Sequence, residues 1–160
     1  MPDIEPFSPR GMFHEGWTAE VNDYAIACGW ALKGKQFIVG DVAGGLFSFE
    51  GDTGKIIWEK ENTHSGGLLA MAIHPEGEIF ATSGQDGNVQ ICNCHEGKVI
   101  KTLDLGKGWV EHLKWSNDGL FLAIASSKKV YVFNEIGEEK WISEDHPSTV
   151  SAITWSNKNE

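Results

Sequence analysis

Two sets of residues have the types and spacing to do chemistry. In "ICNCHEG", Ile91 to Gly97, the side chains of Cys92, Cys94 and His95 offer two sulfurs and an imidazole, donors that suit zinc. His64, Ser83 and Asp86 have the residue types of a hydrolase relay, in which an imidazole takes the serine proton and a carboxylate orients the ring. Each reading makes a demand. A closed zinc site needs four ligands, usually from Cys-x-x-Cys pairs, whereas here the spacing is Cys-x-Cys and only Cys28 remains elsewhere. A serine nucleophile must open onto a cleft. The elements that carry these residues decide both cases.

Those elements repeat. Shifting the chain along itself superimposes "MAIHPEGEIFATS" (71–83), "LKWSNDGLFLAIA" (113–125) and "ITWSNKNE" (153–160), with a weaker copy in "CGWALKGKQFIVG" (28–40). Gly34, Gly77, Gly119 and Asn159 mark a period of about 40 to 43 residues, the length of one propeller blade. Within a unit the apolar residues alternate as in a strand: Ile79, Ala81 and Ser83 on one side, Phe80 and Thr82 on the other, with Val89 and Ile91 after a turn. The second unit predicts strands near 69–74, 78–83, 88–93 and 98–103. Its connectors "PEG", "QDGN" and "CHEG" combine Gly with Asp, Asn or Pro, as hairpin turns require. The expected unit is a four-stranded antiparallel meander, and the expected class is all-β. Because "IFATS", "LFLAIA" and "VYVF" are apolar on both faces, each sheet must be covered on both sides by its neighbours.

Composition narrows the function classes. Thirteen basic against 23 acidic residues give a net charge of −10 and no basic stripe, so neither nucleic acid nor an anionic membrane is expected as a partner. The longest apolar runs fall far short of the roughly 20 residues of a spanning helix. With no secretory signal in "MPDIEPFSPR" and an odd number of cysteines, three, the expectation is a soluble protein of a reducing cytoplasm.

The repeated offsets resemble the WD-repeat β-propeller family. The second unit follows its pattern through His64, Leu68, Met71, Ile73, "HPEG", "ATSGQDGNV" and the pair Cys92 and Asn93, which stand where Trp-Asp is usual. The third keeps Val110, Leu113, "WSNDG" and the pair Phe133 and Asn134, but has Gly106 at the His position and a shortened turn, "SSKKV". The fourth opens with His146, Val150, Ile153 and "WSNKN"; the first has "WALKG" and the pair Phe49 and Glu50. The resemblance implies a partial propeller over residues 18–160, in units of about 18–60, 61–103, 104–143 and a truncated 144–160, after an N-terminal extension, 1–17. Three and a third blades do not close a ring, for which 4 to 8 are typical. The chain is then either the first part of a longer propeller or a half-ring that closes as a homo-oligomer.

The family also implies a role for the second set. His64, Ser83 and Asp86 map onto a hydrogen-bonded network inside one blade, in which Asp86 accepts turn N–H groups and the imidazole proton and Ser83 bridges. Cys92 is then a small buried residue and Cys94 a turn residue, and no metal or cofactor is expected. Trp30, Trp115 and Trp155, at repeated positions, are expected in the core, and Trp58 and Trp141 against neighbouring blades. Trp109, in the connection entering the third unit, is an anchor candidate on one rim.

By fold analogy the function is that of a non-catalytic scaffold. Its rim loops, 61–67, 84–88, 104–109, 126–129 and 143–148, would present Trp109, Lys107 and Gln85 to a protein or peptide partner, and the acidic balance would suit a basic or neutral one. The enzyme-class alternative comes from "FSFEGDTGKIIWEKE", which is similar to a quinoprotein-type propeller repeat.

Overall fold

The computed structural model describes residues 16–157, and all regular structure in it beyond one short 3₁₀ turn is strand. Twelve strands form three separate four-stranded antiparallel meanders, none closed into a ring. The first holds β1 (Ala25–Ala31), β2 (Gln36–Asp41), β3 (Leu46–Glu50) and β4 (Ile56–Lys60). The second holds β5 (Leu68–Ile73), β6 (Ile79–Gly84), β7 (Asn88–Asn93) and β8 (Val99–Asp104). The third holds β9 (Val110–Trp115), β10 (Phe121–Ser126), β11 (Lys129–Asn134) and β12 (Glu139–Ile142). The chain is all-β and built of propeller blades, as the repeat predicts.

The three sheets agree even in their irregularities. Pairing of the first two strands slips between Ala25 and Ala27, between Leu68 and Ala70, and between Ala125 and Ser126. Pairing of the last two slips at Ser48/Phe49, Ile91/Cys92 and Val132/Phe133. A bulge at the same place in every copy bends and twists each sheet alike.

The core lies between sheets, because the middle strands are apolar on both faces. Ala31, Ile38 and Leu46 of the first sheet pack with Leu68, Phe80, Cys92 and Cys94 of the second. Ala81, Val89 and Ile91 of the second pack with Val110, Leu113, Trp115, Leu122 and Ile124 of the third. Specific hydrogen bonds tie these seams. Leu32 N–H donates to Gly77 O at 3.0 Å, and Trp115 Nε1–H donates to Ala72 O at 3.1 Å. His74 Nε2–H donates to Gly119 O at 3.0 Å while its Nδ1 accepts the Glu76 N–H at 3.2 Å, which fixes the neutral tautomer.

The two ends differ from the blades between them. The proposed extension, 1–17, lies outside the described residues except for its last two, and Trp17 there packs with Phe37 and Phe49 on the outer face of the first sheet and donates to Gly51 O at 2.7 Å. The start of the fourth unit, predicted as a strand, is not one. With no second strand beside it among the described residues it forms no ladder, and Trp155 instead holds it by donating to Lys114 O at 2.8 Å. No helix among the described residues is long and apolar enough to cross a membrane.

Candidate functional site

In the second sheet the predicted polar set folds inward. The turn between β6 and β7 carries Asp86 just before Gly87, which takes a φ of +77° that a side chain would strain. Asp86 Oδ1 accepts the Asn88 N–H and Oδ2 the Ser65 N–H, both at 3.1 Å. His64, 2% exposed, sets Nδ1 3.1 Å from the carboxylate and Nε2 3.0 Å from Thr82 Oγ1. The Nδ1–H therefore donates to Asp86 and Nε2 accepts the Thr82 hydroxyl proton. The imidazole fits only because Gly84 lacks a side chain: a Cβ there would lie 2.6 Å from both the His64 ring and Gly67 O. Burial by itself would raise the Asp86 pKa, but the hydrogen bonds from Asn88, His64 and Ser65, with the attraction of His64, outweigh it and hold the carboxyl below its ordinary value.

Ser83 is not the bridge. Strand alternation turns its hydroxyl to the opposite face from Thr82, where it donates to Val110 O of the next sheet at 2.9 Å. Thr82 takes the bridging place that Ser83 was expected to hold. Ser83 is also fully buried, so it opens onto no cleft and the relay reading has no accessible nucleophile.

Cys92 and Cys94 are both buried in the seam between the first two sheets. Burial pushes the Cys92 thiol up to about 12 against the pull of Lys60. Burial, with the charge of Glu78 and the neighbouring Cys92, raises Cys94 to about 12. Both are thiols near neutral pH, not the thiolates that bind metal or attack. His95 points elsewhere, to Glu78 at 3.2 Å on the surface. The Cys94 carbonyl accepts the Trp58 indole N–H at 2.9 Å, and Trp58 stacks on Phe80 with ring centroids 6.1 Å apart, so Trp58 sits against the neighbouring sheet as predicted.

The other tryptophans divide by whether a neighbour exists. Trp115 is core, and Trp155 is half-buried against the third sheet. Trp30, expected in the core, is 54% exposed because no sheet precedes its own among the described residues, and Trp141 is equally exposed on the outer strand of the third sheet. Trp109 is 52% exposed.

At the rim, the loops of Gln85, Lys107 and Trp109 abut. Leu105 N–H donates to Gly87 O at 3.0 Å, and a Cβ on Gly87 would overlap the Gly106 carbonyl. A Cβ on Gly108 would come within 2.8 Å of Ser126 Oγ, which donates to Trp109 O at 3.1 Å, so the turn at Ser127 and Lys128 joins the same surface. Gln85 lies at its far side, beside Gly66. Beyond the turn, His146 N–H donates to Lys128 O and Val150 N–H to Ser127 O, both at 2.8 Å. Together these segments wall a cavity of about 400 Å³ lined in part by Ser127, Lys128, Lys129, Tyr131 and Asp145. The sequence assigns Thr82 only to a strand face and Lys128 only to a rim loop, and neither to a site. Strand alternation could have separated Thr82 from Ser83, and the two lysines of the shortened "SSKKV" turn were a signal for the second.

Two family models match the chain: the anaphase-promoting complex subunit 4 WD40 domain over residues 52–109, and the WD domain, G-beta repeat, over 97–134. WD repeat-containing protein 1 of Gallus gallus is 35% identical over 97 residues, covering 57% of this chain and 16% of that protein. The Bos taurus protein of the same name is 32% identical over 99 residues, covering 56% and 16%. A probable cytosolic Fe-S cluster assembly factor of Schizosaccharomyces pombe is 31% identical over 99 residues, covering 58% and 16%. The chain thus matches about a sixth of the length of these curated relatives.

Proposed function

The chain belongs to the WD-repeat family, and from that premise we propose that it is a non-catalytic scaffold whose rim loops hold a protein or peptide partner. The observation that carries this reading is the contrast between polar groups that are consumed and groups that are free. His64, Thr82, Ser83 and Asp86 all have partners within the fold, so the residues that could have done acid–base or nucleophilic work hold the blades together. Trp109 and Lys107, by contrast, stand exposed on a rim loop whose backbone is fixed by hydrogen bonds to both flanking turns. A rigidly mounted, exposed Trp is the kind of anchor that dominates binding energy in protein interfaces.

A pull-down with the wild-type chain and a Trp109→Ala, Gln85→Ala variant tests this. The reading expects a partner that the wild type retains and the variant loses at an unchanged melting temperature. Undiminished retention by the variant removes these residues from the interface.

A further inference from the structure

We propose that the rim at the third sheet takes an acidic peptide segment of a protein partner, its carboxylates met by Lys107 and Lys128 and an apolar side chain of the segment packed on the Trp109 ring. The proposal rests on the reading that the rim binds protein, and it specifies the partner's chemistry.

Charge is the first argument. Lys107 and Lys128 are exposed and make no ion pair among the described residues. Three of the nearby carboxylates have partners, Asp86 in His64, Asp104 in the Gly106 N–H at 2.8 Å, and Asp145, the one carboxylate lining the cavity, in Lys129 at 3.5 Å, while the adjacent Glu144 is exposed and makes no ion pair among the described residues. The net charge of −10 favours a cationic partner for the molecule as a whole, yet at this rim Lys128, which lines the cavity, and Lys107, between its lining residues Leu105 and Gly108, are cations without an ion pair among the described residues. Close complementary pairs, more than total charge, set register and partner choice.

Donor chemistry is the second. The hydroxyls of Ser127 and Tyr131 line the cavity and make no hydrogen bond among the described residues. Each can donate to a carboxylate oxygen, while the ammonium groups supply charge-assisted bonds. Preorganisation is the third. Ser127 holds a left-handed φ of +52°, and the carbonyls of both turn residues are tied to the 146–150 segment, so the Lys128 backbone needs no ordering on binding.

The test uses the 160-residue chain on resin and three short peptide pools of equal leucine content, differing only in whether the polar positions are Asp/Glu, Asn/Gln or Lys/Arg. Preferential retention of the acidic pool is expected. It should weaken as salt rises from about 0.05 M to about 0.5 M. A Lys107→Glu, Lys128→Glu variant with unchanged melting should lose at least about tenfold in affinity for that pool. Lys98→Glu, in the turn at the opposite end of the second sheet, should lose nothing. Equal or better retention of the neutral or basic pool, dependent on Trp109, overturns the acidic partner and leaves the rim reading standing. Retention of no pool, or retention untouched by Trp109→Ala, overturns both.

Discussion

The turn between β6 and β7 and the turn between β10 and β11 hold the same place in adjacent sheets, since Gly84 pairs with Leu68 as Ser126 pairs with Val110. In the second sheet this place is a closed polar network of His64, Thr82 and Asp86. In the third, the position of Thr82 is taken by Ile124, fully buried, the position of His64 by Gly106, and the turn is cut to Ser127 and Lys128. The third sheet is therefore held at this end by apolar packing, backbone bonds and the Ser126 hydroxyl on Trp109 O, and Lys107, Ser127 and Lys128 are left without side-chain partners among the described residues. The difference teaches that losing the intrablade network need not cost the fold, and that it releases polar groups to solvent where a partner can reach them.

The comparison breaks most sharply on the two turn residues. Asp86→Ala removes the acceptor of two backbone N–H groups and strands the Nδ1–H of a buried imidazole, so we expect a loss of about 3 kcal/mol in denaturant unfolding. Lys128→Ala in the third sheet should stay within about 0.5 kcal/mol of wild type. Comparable losses in both would mean that the turns play the same role.

A double-mutant cycle sharpens the assignment of Thr82 over Ser83. Thr82→Val and Asp86→Ala act on the same imidazole and should couple by about 1 kcal/mol, whereas Ser83→Ala, which loses only the bond to Val110 O, should add to Asp86→Ala within about 0.5 kcal/mol. Coupling of Ser83 in place of Thr82 would reverse the assignment.

The smallest effect is in pH. Because the folded state holds the Asp86 carboxyl below its unfolded value, its contribution is present above the ordinary carboxylate range and is lost as pH falls through that range to the lower, folded-state value. Between about pH 6 and pH 3, wild type should lose more stability than Asp86→Asn. Parallel curves would place the stabilising charge elsewhere.

The strands were legible because their signals are local. Alternation around Phe80 and Val89, with glycines at turns that need positive φ, locates the second sheet to within a residue. The features that misled depend on what lies across a seam. Trp30 and Trp115 occupy the same repeated position, but only Trp115 has a sheet before it to bury against. "VSAITWS" has strand composition but no strand to pair with. Ser83 and Thr82 are neighbours of like chemistry, and only the direction of each face decides which one meets His64. At the rim, Trp109 and Lys107 were visible as loop residues, whereas the meeting of their loop with Lys128 follows from packing of two connections that are distant in sequence.

One titration tests the contrast between the turns directly: the acidic peptide pool added to isotopically labelled protein, followed through its amide and indole N–H resonances. The account predicts movement at Lys107, Lys128 and the Trp109 indole, with little at Ser65 and Asn88, whose N–H groups Asp86 holds. Movement confined to the opposite turns, such as Asn93 to Lys98, or centred on Ser65 and Asn88 with the third sheet silent, would contradict it.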